Sequence, residues 1–369
     1  MEIERLDVLR EVLERNEPLG GLRLQDLDLH GVEHLLLERT DLGDLVVLGG
    51  QLSPHLTVHL VRHGAIVFPS DPHAPLDVYR SHLYTADELY AGLTGPGGYP
   101  ATLDGRAHTW TLDRRSGRDA YATMLRAIHD QSITDALDEV LDGLPVVGVM
   151  GGHSAQRGSA VYAAAARLGL LLADAGLVVA TGGGPGAMEA ANLGARSRDR
   201  RSLERDVRLL ATVPSFQPDV GAWARIALRV RDRIAAGPAR PAVRSIGIPT
   251  WFYGHEPPNV FGEGIAKYFS NALREDGLLA RCTAGIVVLP GEAGTVQEIF
   301  QAATRLYYRR TGEGGPGAMP PLVLVGRHHW ERVVPAWPLA CALAGSRPMG
   351  DVLHLVDTVD EAAALLAPG

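Results

Sequence analysis

The chain has 369 residues, of which 46% are hydrophobic and 21% charged, and its formal net charge is −8 at pH 7. This composition indicates a globular protein with a large core, and the negative charge disfavours a general nucleic-acid surface. No segment reaches the roughly eighteen apolar residues of a membrane helix, and the acidic start MEIERLDVLREVLERNE is unlike a signal or transit peptide. With only two cysteines, Cys282 and Cys341, we expect no disulfide framework and a cytoplasmic location.

In the first sixty residues, apolar residues repeat with a period of five. Leucine or valine recurs at every fifth position from Leu22 to Leu52. Neither a helix nor a strand has this period, and a five-residue repeat centred on Leu resembles pentapeptide-repeat sequences, which fold as a square β-helix. Most units lack the small residue expected two places before the centre. We therefore expect residues 1–62 to be β-rich, either as a pentapeptide-repeat-like region or as a small cap.

Residues 63–144 contain few periodic segments and are expected to link two regions. The pattern between 78 and 93 predicts a short helix with Thr85 as its N-cap. Residues 119–141 indicate a longer helix, which Gly143 ends.

From residue 145 onward, apolar strands alternate with helices. Strands are predicted at 145–150, 177–180, 209–213, 246–249, 285–289, 322–325 and 352–356. Helices are predicted at 159–175, 187–195, 265–276 and 295–308, and after a capping box of Thr358 and Glu361. The alternation is typical of a doubly wound, Rossmann-like parallel sheet that binds ligands at the carboxyl ends of its strands. We expect residues 145–369 to form this α/β domain.

Three glycine-bearing turns each connect a strand to the next helix. They are 151–158 (GGHSAQRG), 182–186 (GGGPG) and 290–295 (PGEAGT). Each presents backbone N–H groups at a helix N-terminus, an arrangement that favours an anion. Any one of them could simply be a tight turn, but three on one edge of a sheet favour a ligand that contains phosphate.

Two common nucleotide sites fit these turns less well. A Walker loop ends in Lys followed by Ser or Thr, and none of the three does. Gly182, Gly184 and Ala187 satisfy the G-x-G-x-x-A pattern of dinucleotide folds. The next predicted strand, 209–213, lacks the acid that those folds use to bind ribose, so a dehydrogenase is disfavoured.

The third loop carries the sharpest chemical signal. It reads PGEAGTVQE from Pro290 to Glu298, and Thr295 offers a hydroxyl beside the glycines. Glu298 falls near the start of the following helix and off its apolar face. That carboxylate would lie close to a ligand, although it could also merely complement the helix dipole.

The order of these motifs resembles the LOG ("Lonely guy") family of cytokinin-activating phosphoribohydrolases and their larger bacterial relatives, the nucleotide 5′-monophosphate nucleosidases. Five residues match the family pattern P-G-G-x-G-T-x-x-E, namely Pro290, Gly291, Gly294, Thr295 and Glu298. Glu292 stands in place of the second Gly of the pattern. The segment GGGPGAM fits G-G-G-x-x-G-x-M loosely, since Gly186 and Met188 come one place early. The resemblance covers roughly residues 145–369.

The resemblance implies a catalytic pair and a set of binding loops. The pair consists of the Glu that ends the motif, here Glu298, and an Arg on the preceding helix, here Arg274 or, as the weaker alternative, Arg281. The implied ribose and phosphate contacts are Gly182, Gly183, Gly184, Gly186, Met188, Gly291, Gly294 and Thr295.

Other polar residues are open to more than one interpretation. His153 and Ser154 follow the first strand directly and are candidate ligand contacts. Glu189 and Asn192 either line the second loop or only stabilise its helix. The aromatic residues of 251–261 could stack on a base, although packing in the core is the commoner role.

No metal or cofactor is expected. His328 and His329 are adjacent on a loop, so their side chains diverge. The family's older label, lysine decarboxylase, would require pyridoxal phosphate on Lys267, the only lysine, which is predicted to lie in an ordinary helix.

The sequence thus predicts an enzyme that hydrolyses the N-glycosidic bond of a nucleoside 5′-monophosphate, giving free base and ribose 5-phosphate. The resemblance further implies a homodimer or higher oligomer, and we expect neither a nucleic-acid nor a membrane partner. One alternative is a non-catalytic nucleotide carrier or regulator on the same fold. Another is a partner-binding module in the N-terminal region that a bound nucleotide controls.

Overall fold

A computed structural model describes residues 2–71, 73–113, 119–235, 243–253, 256–308 and 319–367. The chain divides into two compact units, Met1–Leu83 with Thr109–Asp138, and Tyr84–His108 with Glu139–Gly369. The boundaries expected near residues 62 and 144 stay predictions. Within the described ranges, every helix is too short or too polar to cross a membrane.

The first unit alternates short strands with helices. Its elements are β1 (Glu2–Ile3), α1 (Leu6–Glu14), β2 (Arg23–Gln25), α2 (Glu33–Leu37), β3 (Val46–Leu48), α3 (Pro54–Arg62) and β4 (Ile66–Phe68). The strands pair in parallel in the order β1-β2-β3-β4. Because Ile3, Leu24, Val47 and Val67 hold matching positions, they form one row across the sheet.

The expected β-rich, pentapeptide-repeat-like region is not confirmed. The residues spaced by five are buried or half-buried in the core of this unit, but they belong in turn to strands, turns and helices. The strands themselves repeat at longer intervals, since Arg23 pairs with Val46 and Val46 with Ile66. The regularity of five therefore reflects burial and does not arise from one repeated conformation.

Three further helices precede the large sheet. They are α4 (Ala86–Leu89), α5 (Leu103–Leu112) and α6 (Ala120–Leu141). Thr85 caps α4 as predicted: its hydroxyl accepts a hydrogen bond from the N–H of Glu88, and the Glu88 carboxylate accepts one from the N–H of Thr85.

The second unit contains a seven-stranded parallel sheet, which confirms the predicted Rossmann-like class. The remaining strands are β5 (Val146–Met150), β6 (Val178–Thr181), β7 (Ser245–Gly247), β8 (Gly264–Ile265), β9 (Gly285–Val288), β10 (Leu322–Val325) and β11 (Leu353–Val356). The remaining helices are α7 (Ala160–Asp174), α8 (Ala187–Arg196), α9 (Arg200–Leu210), α10 (Val220–Ala235), α11 (Asn271–Arg281), α12 (Ala293–Tyr308), α13 (Ala336–Ala344) and α14 (Val359–Leu366).

The strand order of this sheet, β11-β10-β9-β5-β6-β7-β8, reverses once. The chain runs outward from β5 to β8 and then returns to place β9 on the other side of β5. Open α/β sheets bind ligands where the order reverses, beyond the carboxyl ends of the strands. The loops after β5 and β9 therefore flank the expected ligand crevice.

Two predicted elements of this unit are wrong. Residues 209–213 are not a strand: Leu210 ends α9, whose buried residues Leu203, Asp206 and Leu210 repeat at helical spacing. The helix predicted at 265–276 begins only at Asn271, because Ile265 belongs to β8 and pairs with β7. Lys267 consequently lies outside any helix.

Helices α7 and α8 cross closely because glycine stands at the crossing. A Cβ on Gly169 would lie 2.0 Å from the carbonyl oxygen of Ala191, and one on Gly194 would lie 1.8 Å from that of Ala166. No larger residue fits without moving a helix. The crossing fixes α8, and with it the second glycine loop.

Candidate functional site

A cavity of about 440 Å³ lies at the point where the strand order reverses. It is lined by the loop after β5, the loop after β9 with the first turns of α12, residues of α8 and α11, and part of the segment before β8. Seven predicted site residues meet in it: His153, Ser154, Met188, Arg274, Gly294, Thr295 and Glu298. Its position agrees with the ligand crevice expected from the topology.

Arg274 and Glu298 form an ion pair across the cavity wall. The Arg274 Nη1 atom lies 3.8 Å from Glu298 Oε1, and the two side chains are 10% and 16% exposed. Arg274 sits on α11, where it is buried, and Glu298 sits on α12, one residue before the buried Ile299. The alternative arginine, Arg281, ends α11 and donates from Nη1 to the carbonyl of Gly277, whereas the ion pair with Glu298 is formed by Arg274.

The Glu298 carboxyl holds its proton more tightly than an ordinary glutamic acid. Its pKa is raised to about 7, mainly by burial and also by the nearby Glu275 and Glu256, while Arg274 acts to lower it. Near neutral pH the group therefore exists in both protonation states. A carboxyl of this kind can take a proton from water and return it.

Arg274 has hydrogen-bonding capacity left over. Its Nε atom is buried without a hydrogen-bond partner in the described part of the chain. On its other side, Nη1 approaches the second loop, 3.5 Å from where a Cβ on Gly182 would lie. An unpaired N–H in a guanidinium that lines a cavity is unfavourable unless a ligand oxygen accepts from it.

The first loop contributes His153 and Ser154. His153 Nδ1 lies 3.5 Å from Glu256 Oε1, so a contact joins this loop to the segment before β8. Both residues also line a smaller neighbouring cavity of about 270 Å³. Both residues line the crevice, and their role as ligand contacts stays a prediction.

The glycines of the second loop lie outside the lining of the larger cavity, and their predicted contact with ribose or phosphate stays a prediction. Among the described residues, Gly182, Gly183, Gly184 and Gly186 are not in the lining of the larger cavity, and neither is Gly291 of the third loop. Gly186 has φ +74°, and a Cβ there would lie 2.6 Å from the carbonyl oxygens of Gly152 and His153. Glycine is thus required where the second loop packs against the first, and Met188 is the part of it that reaches the larger cavity.

Glu189 and Asn192 both lie inside the fold. The Glu189 carboxylate accepts hydrogen bonds from the Arg157 guanidinium and from the Tyr162 hydroxyl. Asn192 donates to Ser245 and accepts from Thr181, and so links α8 to β6 and β7. Glu189 also lines the smaller cavity.

Some aromatic residues of the segment 251–261 pack in the core, and one lines the cavity where a base could stack. Trp251 is buried, stacks on Phe269 and donates its indole N–H to Asp104, whereas Tyr253 lines the larger cavity. Gly254 and His255 lie outside the described residues.

Lys267 and His329 are both structural. Lys267 Nζ lies 2.5 Å from Asp104 Oδ1 and both side chains are 1% exposed, so the lysine is occupied in a buried ion pair. His329 Nε2 lies 3.1 Å from the carbonyl oxygen of Gly291 and supports the third loop.

Sequence reasoning missed two acids of the cavity, Glu256 and Glu275. Glu256 lies in an aperiodic, proline-rich segment whose path the sequence does not reveal. Glu275 directly follows Arg274, and its proximity to α12 shows in the hydrogen bonds from Gln297 at 2.7 Å and Gln301 at 3.4 Å.

Comparisons with known proteins identify a family for one segment. Residues 144–203, which span β5 to α8 and the start of α9, match the SLOG cluster4 family, so the resemblance to LOG-type proteins is confirmed over this segment. No curated protein matches the chain.

Several solved structures resemble about three fifths of the chain. The molybdenum cofactor binding protein from the phototrophic bacterium Rippkaea orientalis is 17% identical, with 61% of this chain and 96% of that chain covered and a TM-score of 0.35. The structural genomics target TM1055 is 20% identical, with coverages of 60% and 98% and a TM-score of 0.37. The molybdenum cofactor carrier protein of Chlamydomonas reinhardtii is 18% identical, with coverages of 60% and 95% and a TM-score of 0.36. Values this low carry no information on ligand or activity.

Proposed function

We propose that the protein hydrolyses the N-glycosidic bond of a nucleoside 5′-monophosphate and releases the free base and ribose 5-phosphate. The observation that carries this proposal is the Arg274–Glu298 pair, buried in a cavity where the strand order reverses. The match to the SLOG cluster4 family supports a nucleotide-related ligand at this place.

In this reaction Glu298 acts on water and on the sugar. The C1′–N bond breaks with its electron pair leaving on the base, and the ribose passes through an oxocarbenium-like state. The Glu298 carboxylate stabilises that positive charge and accepts a proton as water adds to C1′. The proton then passes to the departing base, and a pKa of about 7 suits both steps.

The start of α12 is the proposed phosphate site. The first N–H groups of a helix have no partner within it, and the first residues of α12, Ala293 to Thr295, line the cavity. Glu292, in place of the family's glycine, is exposed there. Binding the phosphate would position C1′, since a remote handle orients the reacting centre.

Arg274 is the proposed partner of the phosphate or ribose oxygens. Its Nε is a donor without a protein acceptor in the described residues, and its Nη1 stays near Glu298. A planar guanidinium can hold two acceptors in this way. We propose that the loop at 182–186 packs against the Arg274 guanidinium at Gly182 and also contacts the ribose.

The direct test is a chromatographic screen of AMP, GMP, IMP, CMP and UMP and of the corresponding nucleosides. Release of base from the monophosphates and not from the nucleosides supports the proposal. Release that survives fully in Glu298→Gln would overturn the assigned mechanism. Glu204→Gln, a half-exposed glutamate on α9, is the matched control.

A non-catalytic carrier or regulator is the second candidate, and Glu292 favours it. A carboxylate at the phosphate loop repels a phosphate group, so the loop departs from the pattern of the phosphoribohydrolases at a position where loss of their reaction would show. If no base is released while a nucleotide raises the melting temperature, this candidate replaces the enzyme. Self-association stays a prediction, which light scattering on the purified protein tests.

A further inference from the structure

The charge of the cavity is one-sided. Four carboxylates line it, from Glu256, Glu275, Glu292 and Glu298, whereas the basic residues of the described lining are Arg274 and His153, whose Nδ1 lies 3.5 Å from Glu256 Oε1. A nucleotide carries further negative charge on its phosphate, so the cavity would repel a ligand that is anionic throughout.

The acids occupy distinct positions and do not neutralise one another. Glu275 is held by amide hydrogen bonds from Asn271 and Gln297, which orient its carboxylate without cancelling its charge. Glu256 approaches His153 through Oε1 and the second glycine loop through Oε2, which lies 3.2 Å from where a Cβ on Gly184 would be. Both acids are near enough to Glu298 to act on its carboxyl. Its pKa is raised to about 7 by burial first and by these two neighbours as well, which reports the same negative field.

We infer that the cavity selects a ribonucleotide whose base carries a fixed positive charge, of the pyridinium type; this inference rests on the proposed function. The carboxylates of Glu256, Glu275 and Glu298 would attract a cationic ring placed among them. A neutral purine or pyrimidine would not receive this electrostatic attraction. Tyr253, which lines the same cavity, adds an aromatic face on which such a cation can stack.

The two ends of such a substrate match the two kinds of group in the site. Arg274, whose Nε has no partner in the described residues, and the first turn of α12 are the proposed holders of the phosphate and ribose oxygens. Of the four acids, Glu292 stands at this phosphate end, and Glu256, Glu275 and Glu298 remain for the base and C1′. A zwitterionic nucleotide, negative at the phosphate and positive at the base, satisfies both, whereas AMP satisfies one.

The chemistry of a pyridinium substrate also needs fewer proton transfers. The C1′–N bond breaks, its electron pair stays on the ring nitrogen, and the base leaves neutral without receiving a proton. Water adds to C1′ and gives one proton to Glu298 or to solvent, so that the products are the neutral base, ribose 5-phosphate and one proton. As the bond breaks, the positive charge moves from the ring to the sugar, and a carboxylate at C1′ stabilises it there.

The experiment compares kcat/KM for nicotinamide mononucleotide, AMP and CMP in the wild-type protein and in Glu256→Gln, Glu275→Gln and Glu204→Gln. We expect nicotinamide mononucleotide to be preferred by about tenfold or more, as one well-placed charge pair provides. Glu256→Gln and Glu275→Gln should each reduce that preference about threefold or more while changing AMP turnover less. Glu204→Gln should leave the preference unchanged.

The outcomes separate the two proposals. If AMP or CMP is hydrolysed as well as or better than nicotinamide mononucleotide, the inference fails and the proposed function stands. A preference for nicotinamide mononucleotide that both cavity variants retain in full also overturns it, because the acids would then not be its cause. Release of base from none of the substrates overturns the proposed function and this inference together.

Discussion

The two units of this chain are both parallel sheets with helical connections, yet only one has the topology of a ligand crevice. In the first unit the strands follow in the order β1-β2-β3-β4, so the sheet grows in a single direction. In the second the order reverses between β5 and β9, and the connections there leave on opposite faces, which opens a crevice. Alternation of strand and helix is therefore not enough to make a site; the reversal of order is what opens one.

Burial separates the two sheets as well. The strands of the first unit have two or three residues, and Val46 and Leu48 stay half-exposed around a buried Val47. In the second unit every residue of β5, β6, β9 and β10 is buried. A sheet covered on both faces is the more rigid support for catalytic groups that must keep their positions.

The largest effect should come from Glu298→Gln. We expect kcat/KM for base release to fall about a thousandfold, close to 4 kcal/mol of transition-state stabilisation, because the amide can neither accept a proton nor balance an oxocarbenium charge. Nucleotide binding, followed by calorimetry, should change little. Loss of binding equal to the loss of turnover would contradict the role assigned to this residue.

Gly194→Ala should be the most destabilising change in the second unit. The added methyl group would lie 1.8 Å from the carbonyl oxygen of Ala166, so α7 and α8 must separate, at a cost of about 3–4 kcal/mol in the free energy of unfolding. The matched control in the first unit is Gly43→Ala, since a Cβ on Gly43 meets nothing within 4 Å. Equal denaturation midpoints for the two variants would show that the close crossing is unimportant.

Leu24→Ala tests the core of the first unit. Leu24 is 1% exposed and lies in the row of side chains across that sheet, so its truncation should reduce stability by about 2–3 kcal/mol. Val58→Ala on α3, where the side chain is 66% exposed, is the control and should change stability by less than about 0.5 kcal/mol. Base release at a temperature where both variants are folded should be normal.

Stability should depend on pH through Glu298. Its pKa is about 7 in the folded state against an ordinary 4.5, so between these values the folded state binds the extra proton and this group's contribution to stability falls as pH rises. Glu298→Gln removes the cost of burying the ionised carboxylate. We therefore expect this variant to raise the free energy of unfolding at pH 8 by on the order of 1 kcal/mol, seen as a higher melting temperature, and to leave it unchanged at pH 5. A gain of the same size at both pH values would argue against a raised pKa.

The smallest effects should come from matched helix caps in the two units. Ser53 caps α3 by accepting from the N–H of Leu56, and Ser159 caps α7 by accepting from that of Tyr162. Replacing Ser159 by alanine should reduce stability by about 1 kcal/mol through loss of the cap. Ser53 also donates from its hydroxyl to Glu33 Oε1 at 2.6 Å, so its replacement should reduce stability by at least as much. Chemical denaturation of both variants measures this, and a clearly smaller loss for Ser53→Ala would contradict the expectation.

The parts that were predictable from sequence are those governed by local pattern. The continuous apolar run of β5, the glycine loops and the caps at Thr85 and Thr358 needed only neighbouring residues for their prediction. Arg274 and Glu298 came from the resemblance of a motif, and the fold then placed them 3.8 Å apart.

The predictions that were wrong concern segments whose structure depends on distant contacts or whose apolar spacing is ambiguous. Leu209 and Leu210 resemble a short buried strand, although the buried residues here are Leu203, Asp206 and Leu210, which follow a helical period. Residues 265–268 have a helical composition, but Ile265 and Tyr268 hydrogen-bond to Tyr84 and to Pro249 and Trp251, which no local pattern reveals. The place of Glu256 in the cavity was likewise not predictable, because it depends on distant contacts.

The ion pair of Lys267 with Asp104 has a practical consequence for anyone handling the protein. Lys267 is the only lysine among 369 residues, and its side chain is 1% exposed. A lysine-specific protease therefore has a single peptide bond to cut, and that bond becomes accessible only when the surrounding structure opens. The appearance of two fragments, of about 267 and 102 residues by the position of the lysine, reports local opening of the second unit without any added label.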